Sequence, residues 1–175
     1  LGTYHDFIFE RETLPGPVPA DLVIGNLQNL DILSPLLAVG DHTPRIRAGD
    51  KVIALVNDGR PIALQWLNRS LHQDRYLGAA SRPTVHVAYV NQSIVDPDFR
   101  NQGLMHRLME ATLHVAYEFG TRRVRAFVDT TNAPMISVMG AVGFDATARQ
   151  RGIRIGAGFT LRFNRGINVR KGGDE

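Results

Sequence analysis

Between Val85 and Phe119 the chain changes its periodicity once, and that change limits the folds open to it. Val85 to Val95 is a long strand-like run, Asp96-Pro97 turns the chain, and from Gln102 to Phe119 the residues Leu104, Leu108, Ala111, Leu113, Val115 and Ala116 recur at helical spacing. A strand that feeds into an amphipathic helix implies layers, because the helix buries its apolar face against the sheet holding that strand. A second such unit follows. Arg123 to Asp129 reads as a strand, Ala133 to Val142 as a short helix, and Gly143 stands where a helix C-terminus favours glycine.

Upstream, Lys51 to Val56 and Pro61 to Leu67 are short apolar segments joined by Asn57-Asp58-Gly59-Arg60, a hairpin signal because Asn, Asp and Gly accept positive φ. Downstream, Arg149 to Ile155 and Phe159 to Phe163 read as a final strand pair joined by Gly156-Ala157-Gly158. Tyr4 to Arg11 alternates like a strand and is closed by a segment of alternating prolines from Leu14 to Pro19. From Asp21 to about Val39, Leu22, Leu27, Leu30, Leu33, Leu36 and Leu37 recur near helical spacing, with Gly25 and Pro35 dividing them into two short or kinked helices. The expected organisation is a single domain over residues 1–165 and a C-terminal tail over 166–175, with an α/β fold.

Composition removes several function classes. A chain of 175 residues that is 43% hydrophobic and 21% charged buries a core that needs no staples. The absence of cysteine excludes disulfides, thiolate metal sites and cysteine nucleophiles. No apolar run approaches the roughly 20 residues of a membrane span, and the N-terminus has no secretory pattern, so a cytoplasmic protein without membrane partners is expected. The net charge of +3 is modest and the basic residues are scattered, which argues against nucleic acid as a partner.

The segment Val95 to His106 carries the first functional signal. A helix that begins near Gly103 leaves its first N–H groups unpaired, its dipole is positive at that end, and glycine admits a phosphate close to the backbone. Arg100 adds a full charge. Read alone, this is an anion site or merely a strand–turn–helix connection.

Two segments together narrow the reading. Val95, Pro97, Arg100 and Gly103 match the pattern Val-x-Pro-x-x-Arg-x-x-Gly, and Asn132, Gly143 and Phe144 match a second pattern one helix and one strand further on. The chain from about Lys51 to Phe163 thereby resembles the GNAT superfamily of acyl-CoA-dependent N-acyltransferases. The resemblance implies a mixed, mostly antiparallel, centrally splayed sheet flanked by helices. It implies acetyl-CoA or another acyl-CoA as cosubstrate, no metal, and transfer to a primary amine by direct attack in a ternary complex. Ser93, Ile94 and Val95 would pair with the pantetheine amides like an added strand. The pyrophosphate would sit on the amides of Asn101, Gln102, Gly103, Leu104, Met105 and His106 beside Arg100. Asn132 would help hold the pantetheine arm, and serves equally well as a helix N-cap.

The sequence departs from the pattern twice. Met105 stands where the family usually has Gly or Ala, and Met139 where it has the tyrosine that reprotonates the leaving thiolate. For amine activation the strand from Val85 to Val95 offers no carboxylate. A period of two places Tyr89, Asn91 and Ser93 on one face, where Asn91 or Ser93 would hold a water, and Asp129 is the nearest carboxylate. Arg149, Arg151, Arg154, Arg162 and Arg165 are a solvated basic face or, alternatively, a site for an anionic acceptor. Two other functions stay open: a non-catalytic acyl-CoA sensor, motivated by Met139, and an acyltransferase for long-chain acyl-CoA or acyl carrier protein, motivated by Met105. Homodimerisation through a sheet edge or the final strands is also left open.

Overall fold

The computed structural model describes residues 2–10, 18–26, 28–37, 40–69, 72–74, 79–81, 87–155 and 159–166, with the backbone alone at 2, 72–74, 79–81, 148–155 and 159–166. Ten strands and four α-helices alternate along these residues: β1 (Gly2–Glu10), β2 (Leu22–Gly25), α1 (Leu30–Leu33), α2 (Thr43–Arg47), β3 (Lys51–Asn57), β4 (Arg60–Asn68), β5 (His72–Asp74), β6 (Ala79–Ser81), β7 (Val87–Val95), α3 (Leu104–Glu118), β8 (Arg123–Asp129), α4 (Ala133–Val142), β9 (Asp145–Ile155) and β10 (Phe159–Gly166). Eight of the strands form one sheet in the order β10-β9-β1-β8-β7-β4-β3-β2, and β5 and β6 pair separately. Every pair in the large sheet is antiparallel except β7 with β8. The expected mixed, mostly antiparallel sheet flanked by helices is therefore the one observed.

Local chemistry sets the boundaries. The β3–β4 hairpin turns on Asp58 and Gly59 at φ 49° and 75°, as a two-residue primed turn requires. Helices α3 and α4 end in the same way. Gly120 and Gly143 take positive φ, Thr121 N–H donates to Ala116 O and Phe144 N–H to Met139 O, each at 2.9 Å, so the last carbonyls are capped. Both helices pack on one face of the sheet over a core that includes Phe7, Phe9, Leu108, Val124, Met139 and Phe144. A smaller cluster of Leu33, Val52, Ala54, Leu64 and Trp66 lies on the other face, beneath α1 and α2. There Arg45 of α2 stacks over Trp66 at 3.6 Å from the ring centroid.

Three expectations need correction. Leu22–Gly25 is a strand rather than the start of a helix, because it pairs with β3 from Leu22↔Leu55 to Gly25↔Val52. Gly25 belongs there for steric reasons, since an added Cβ would lie 2.7 Å from Val52 Cβ and 2.9 Å from Leu33 Cδ1. The two short helices occur at Leu30–Leu33 and Thr43–Arg47, the second beyond Val39. β5 and β6, which follow β4, form the small separate pair. Gly166 belongs to β10 rather than to a tail, and residues 167–175 lie outside those described.

The N-terminal strand lies inside the sheet. β1 pairs with β8 from Tyr4↔Asp129 to Glu10↔Arg123, and with β9 on its other side. Ion pairs between Asp6 and Arg125 and between Glu10 and Arg123 lie across that β1–β8 junction.

Candidate functional site

The parallel pairing of β7 with β8 runs only from Val87↔Arg123 to Val90↔Ala126. Beyond Val90 the two strands part, and the reason lies one strand away. Against β4, Asn91 pairs with Trp66 and Ile94 with Leu64, so Gln92 and Ser93 together face the single residue Gln65. This is a β-bulge, with Gln92 at φ 50°, and a bulge bends its strand. The edge of β7 toward β8 is left without a strand partner from Gln92 to Val95, and it faces a cavity of about 1060 Å³ between the two strands.

One end of that cavity is the start of α3. Asp96 closes β7: its N–H donates to Ile62 O at 2.9 Å, and its carboxylate accepts from Asp98 N–H at 3.0 Å and from Arg60 Nη2 at 2.6 Å. The Asp98 N–H, helped by Arg60, holds the Asp96 carboxyl below its ordinary value. Asn101 and Gly103 then take φ 62° and 72°, and α3 begins at Leu104. The first-turn amides of a helix have no intrahelical acceptor. Arg100, Asn101, Gly103, Leu104, Met105 and His106 all line the cavity. Arg100 Nε donates to Val95 O at 3.4 Å, and His106 Nδ1 lies 3.5 Å from Glu110 Oε2.

The opposite wall is β8 and α4. Asp129 accepts from Thr131 N–H at 2.8 Å and from Thr131 Oγ1 at 2.7 Å, and the Thr131 hydroxyl and N–H lower its pKa. Asn132 caps α4 by accepting from Met135 N–H at 3.2 Å. Met139, at the position where the resemblance places a tyrosine, is fully buried beside the cavity, and its thioether has no proton to give.

Ser93, Ile94, Val95 and Asn132 line this one cavity, as do Asn91 and Asp129, whereas Gln102 is exposed and lies outside the lining. Asn91 and Ser93 do not share a face. Tyr89 and Asn91 lie on the Trp66 face, but the bulge turns Ser93 to the other, where its Oγ donates to Gln65 Oε1 at 3.0 Å. The side chains of Arg149, Arg151, Arg154, Arg162 and Arg165 lie outside the described residues. Sequence reasoning passes over Phe127, Pro134, Met135 and Val138, which give the cavity its apolar lining. The alternation of β8 and the apolar composition of α4 are the signals that would have found them. Among the described residues no group of His, Cys, Asp or Glu is placed to hold a metal, and no helix is long and apolar enough to cross a membrane.

In sequence the chain matches the acetyltransferase (GNAT) family over residues 37–144, more than half of its length. No curated protein matches it in sequence. In structure it is similar to a protein of Novosphingobium aromaticivorans assigned to the GNAT family, with TM-score 0.65 and 18% identity over 85% of this chain and 61% of that one. It is also similar to an aminoglycoside N-acetyltransferase in complex with CoA, with TM-score 0.55 and 22% identity over 71% of this chain and 91% of that one. A third similar structure is a tandem GNAT protein from the clavulanic acid biosynthesis pathway, with TM-score 0.56 and 17% identity over 85% of this chain and 51% of that one. The chain thus spans only part of two of these three proteins, and identities this low speak to the fold alone.

Proposed function

Because the chain belongs to the acetyltransferase (GNAT) family, we propose that it transfers an acetyl or other acyl group from coenzyme A to a primary amine. The observation that carries this reading is the end of β7–β8 pairing at Val90↔Ala126, which leaves a strand edge facing a cavity that also receives the first turn of α3. A pantetheine arm has amides spaced to pair with such an edge as an added strand. A pyrophosphate suits the unpaired amides, the positive dipole and the open backbone at Gly103. The neighbouring protein in complex with CoA has the same fold, which supports that placement.

In this reading the neutral amine attacks the thioester carbonyl carbon, the tetrahedral oxyanion is held by backbone N–H groups near Val95, and the C–S bond breaks to release the CoA thiolate. The attacking amine gives up its proton to water rather than to Asp129, whose lowered pKa makes it a weak base at neutral pH. The thiolate takes its proton from solvent, since Met139 has none to give.

The test is calorimetric titration with acetyl-CoA, longer acyl-CoAs and free CoA, in parallel with a thiol-release assay against a panel of amines. Binding with turnover supports the proposal, and the chain-length series identifies the acyl group. Failure of all of these donors to bind overturns it. Binding with no thiol release across the panel favours the second reading, an acyl-CoA sensor, to which the buried thioether of Met139 points.

A further inference from the structure

β4 is buried from Pro61 to Asn68, and in its centre, with 0% exposure, is Gln65. Burying a carboxamide among apolar side chains is costly unless every polar atom is paired. Gln65 achieves this with hydrogen bonds to two different elements. Its Nε2 donates to Leu108 O at 3.3 Å and to Thr112 Oγ1, both on α3, while its Oε1 accepts from Ser93 Oγ at 3.0 Å. The orientation of the amide follows from chemistry, because a backbone carbonyl can only accept, so the NH₂ must face α3 and the oxygen must face β7.

Gln65 is also the residue that the β4–β7 register skips, the one opposite the bulge at Gln92 and Ser93. The other half of that bulge is held from the opposite face, where Arg45 Nη1 donates to Gln92 Oε1 at 2.8 Å. A non-glycine residue at φ 50° persists only where its surroundings fix it. Here one side chain on each face does so, and the one on the α3 face also fixes the helix.

We propose that Gln65 is a positioning residue for the acyl donor, setting the unpaired edge of β7 at a fixed offset from the N-terminal turns of α3. The proposal rests on the donor reading above. The strand edge suits the pantetheine and the helix start suits the pyrophosphate, so a single donor engages both only if their spacing is constant. Gln65 is hydrogen-bonded to both elements, and it acts through them without touching the donor.

The test uses Gln65→Met, which keeps the side-chain length and removes the hydrogen bonds, with Ser93→Ala as a milder variant that removes the β7 arm alone. Thr112 Oγ1 keeps its own bond to Leu108 O at 2.8 Å in both. Gly25→Ala, at the far edge of the sheet, is the control for loss of stability without loss of the link. The expected result is CoA affinity about tenfold weaker in Gln65→Met, the equivalent of one hydrogen bond, and unchanged affinity in Gly25→Ala at a similar melting temperature. The Gln65→Met, Ser93→Ala double variant should bind no more weakly than Gln65→Met. Hydrogen exchange of the CoA-free protein should show lost protection confined to Asn91–Val95 and the first turns of α3. CoA affinity within twofold of the original protein in a folded Gln65→Met variant overturns the proposal, as does exchange that rises evenly over the sheet. If the original protein binds no CoA, the donor reading fails, and the exchange pattern still decides whether Gln65 fixes the bulge to the helix.

Discussion

Replacing Gly103 separates the proposed donor site from the stability of the helix that carries it. Gly103 lies at φ 72° immediately before α3, and a Cβ added there meets nothing within 4 Å. The cost of a side chain is therefore conformational, about 1–2 kcal/mol for an L-residue in the left-handed region. In a domain of this size each kcal/mol shifts Tm by roughly 2–4 °C, so Gly103→Ala should lower Tm by about 2–8 °C. Gly103→Asp should cost less, because Asp enters the left-handed region more readily and its charge complements the helix dipole. For CoA the order reverses. A carboxylate about 5 Å from a phosphate, at an effective dielectric near 20, repels it by about 3 kcal/mol, roughly a hundredfold in affinity. Titration calorimetry at low and high salt, with thermal melts of the same samples, tests both orders. Salt should recover part of the loss in Gly103→Asp and little of that in Gly103→Ala. If Gly103→Asp binds CoA within threefold of the original protein, the phosphates do not lie at the start of α3 and the assignment of this end of the cavity is wrong.

Three further outcomes are expected. Gly25→Ala forces a Cβ against Val52 and Leu33 and should destabilise the chain by about 1–3 kcal/mol in urea denaturation; an unchanged midpoint would show that β2 shifts freely. Asp129→Asn keeps an oxygen for the Thr131 N–H, so kcat should stay within about threefold and its pH profile should not move, whereas a loss of roughly 10²-fold would make Asp129 the base. The Asp96 carboxyl has a native pKa below its ordinary 3.8, so its stabilisation is fully present above that value and is lost as pH falls through the lower native one. Asp96→Asn should therefore flatten the stability curve below about pH 4, and urea midpoints measured from pH 2 to 7 check it.

How far the fold can be read from the sequence depends on where each element gets its definition. β8 and α4 are legible to the residue because strong punctuation bounds them: Gly120 before the strand, Asn132 at the helix cap and Gly143 after it. The β3–β4 hairpin is legible because its turn carries Asp58-Gly59. Leu22–Gly25 is not, because its leucine fits a helical period and only its pairing with β3 makes it a strand. Tyr4 to Arg11 does read as a strand, but nothing local names its neighbours. β1 lies between β8 and β9 because Phe7 and Phe9 complete the core there, and because Asp6 and Glu10 meet Arg125 and Arg123.

The site divides along the same line. The loop from Asp96 to Gly103 is visible because its chemistry is carried by residue types: a proline at a strand end, an arginine, a glycine where φ is positive. The splay is not, because it depends on a bulge formed by Gln92 and Ser93, and neither residue type marks one. A strict period of two then puts Asn91 and Ser93 on one face, when the extra residue between Asn91 and Ile94 has moved them to opposite faces. The clue lay on the partner strand. Between Pro61 and Leu67 one polar side chain interrupts an otherwise apolar run, and a buried strand carries such a residue only when something across the core requires its hydrogen bonds. Gln65 meets Ser93 on one side and α3 on the other. A lone buried amide in that strand therefore marks, on the sequence, the place opposite which the β4–β7 register shifts.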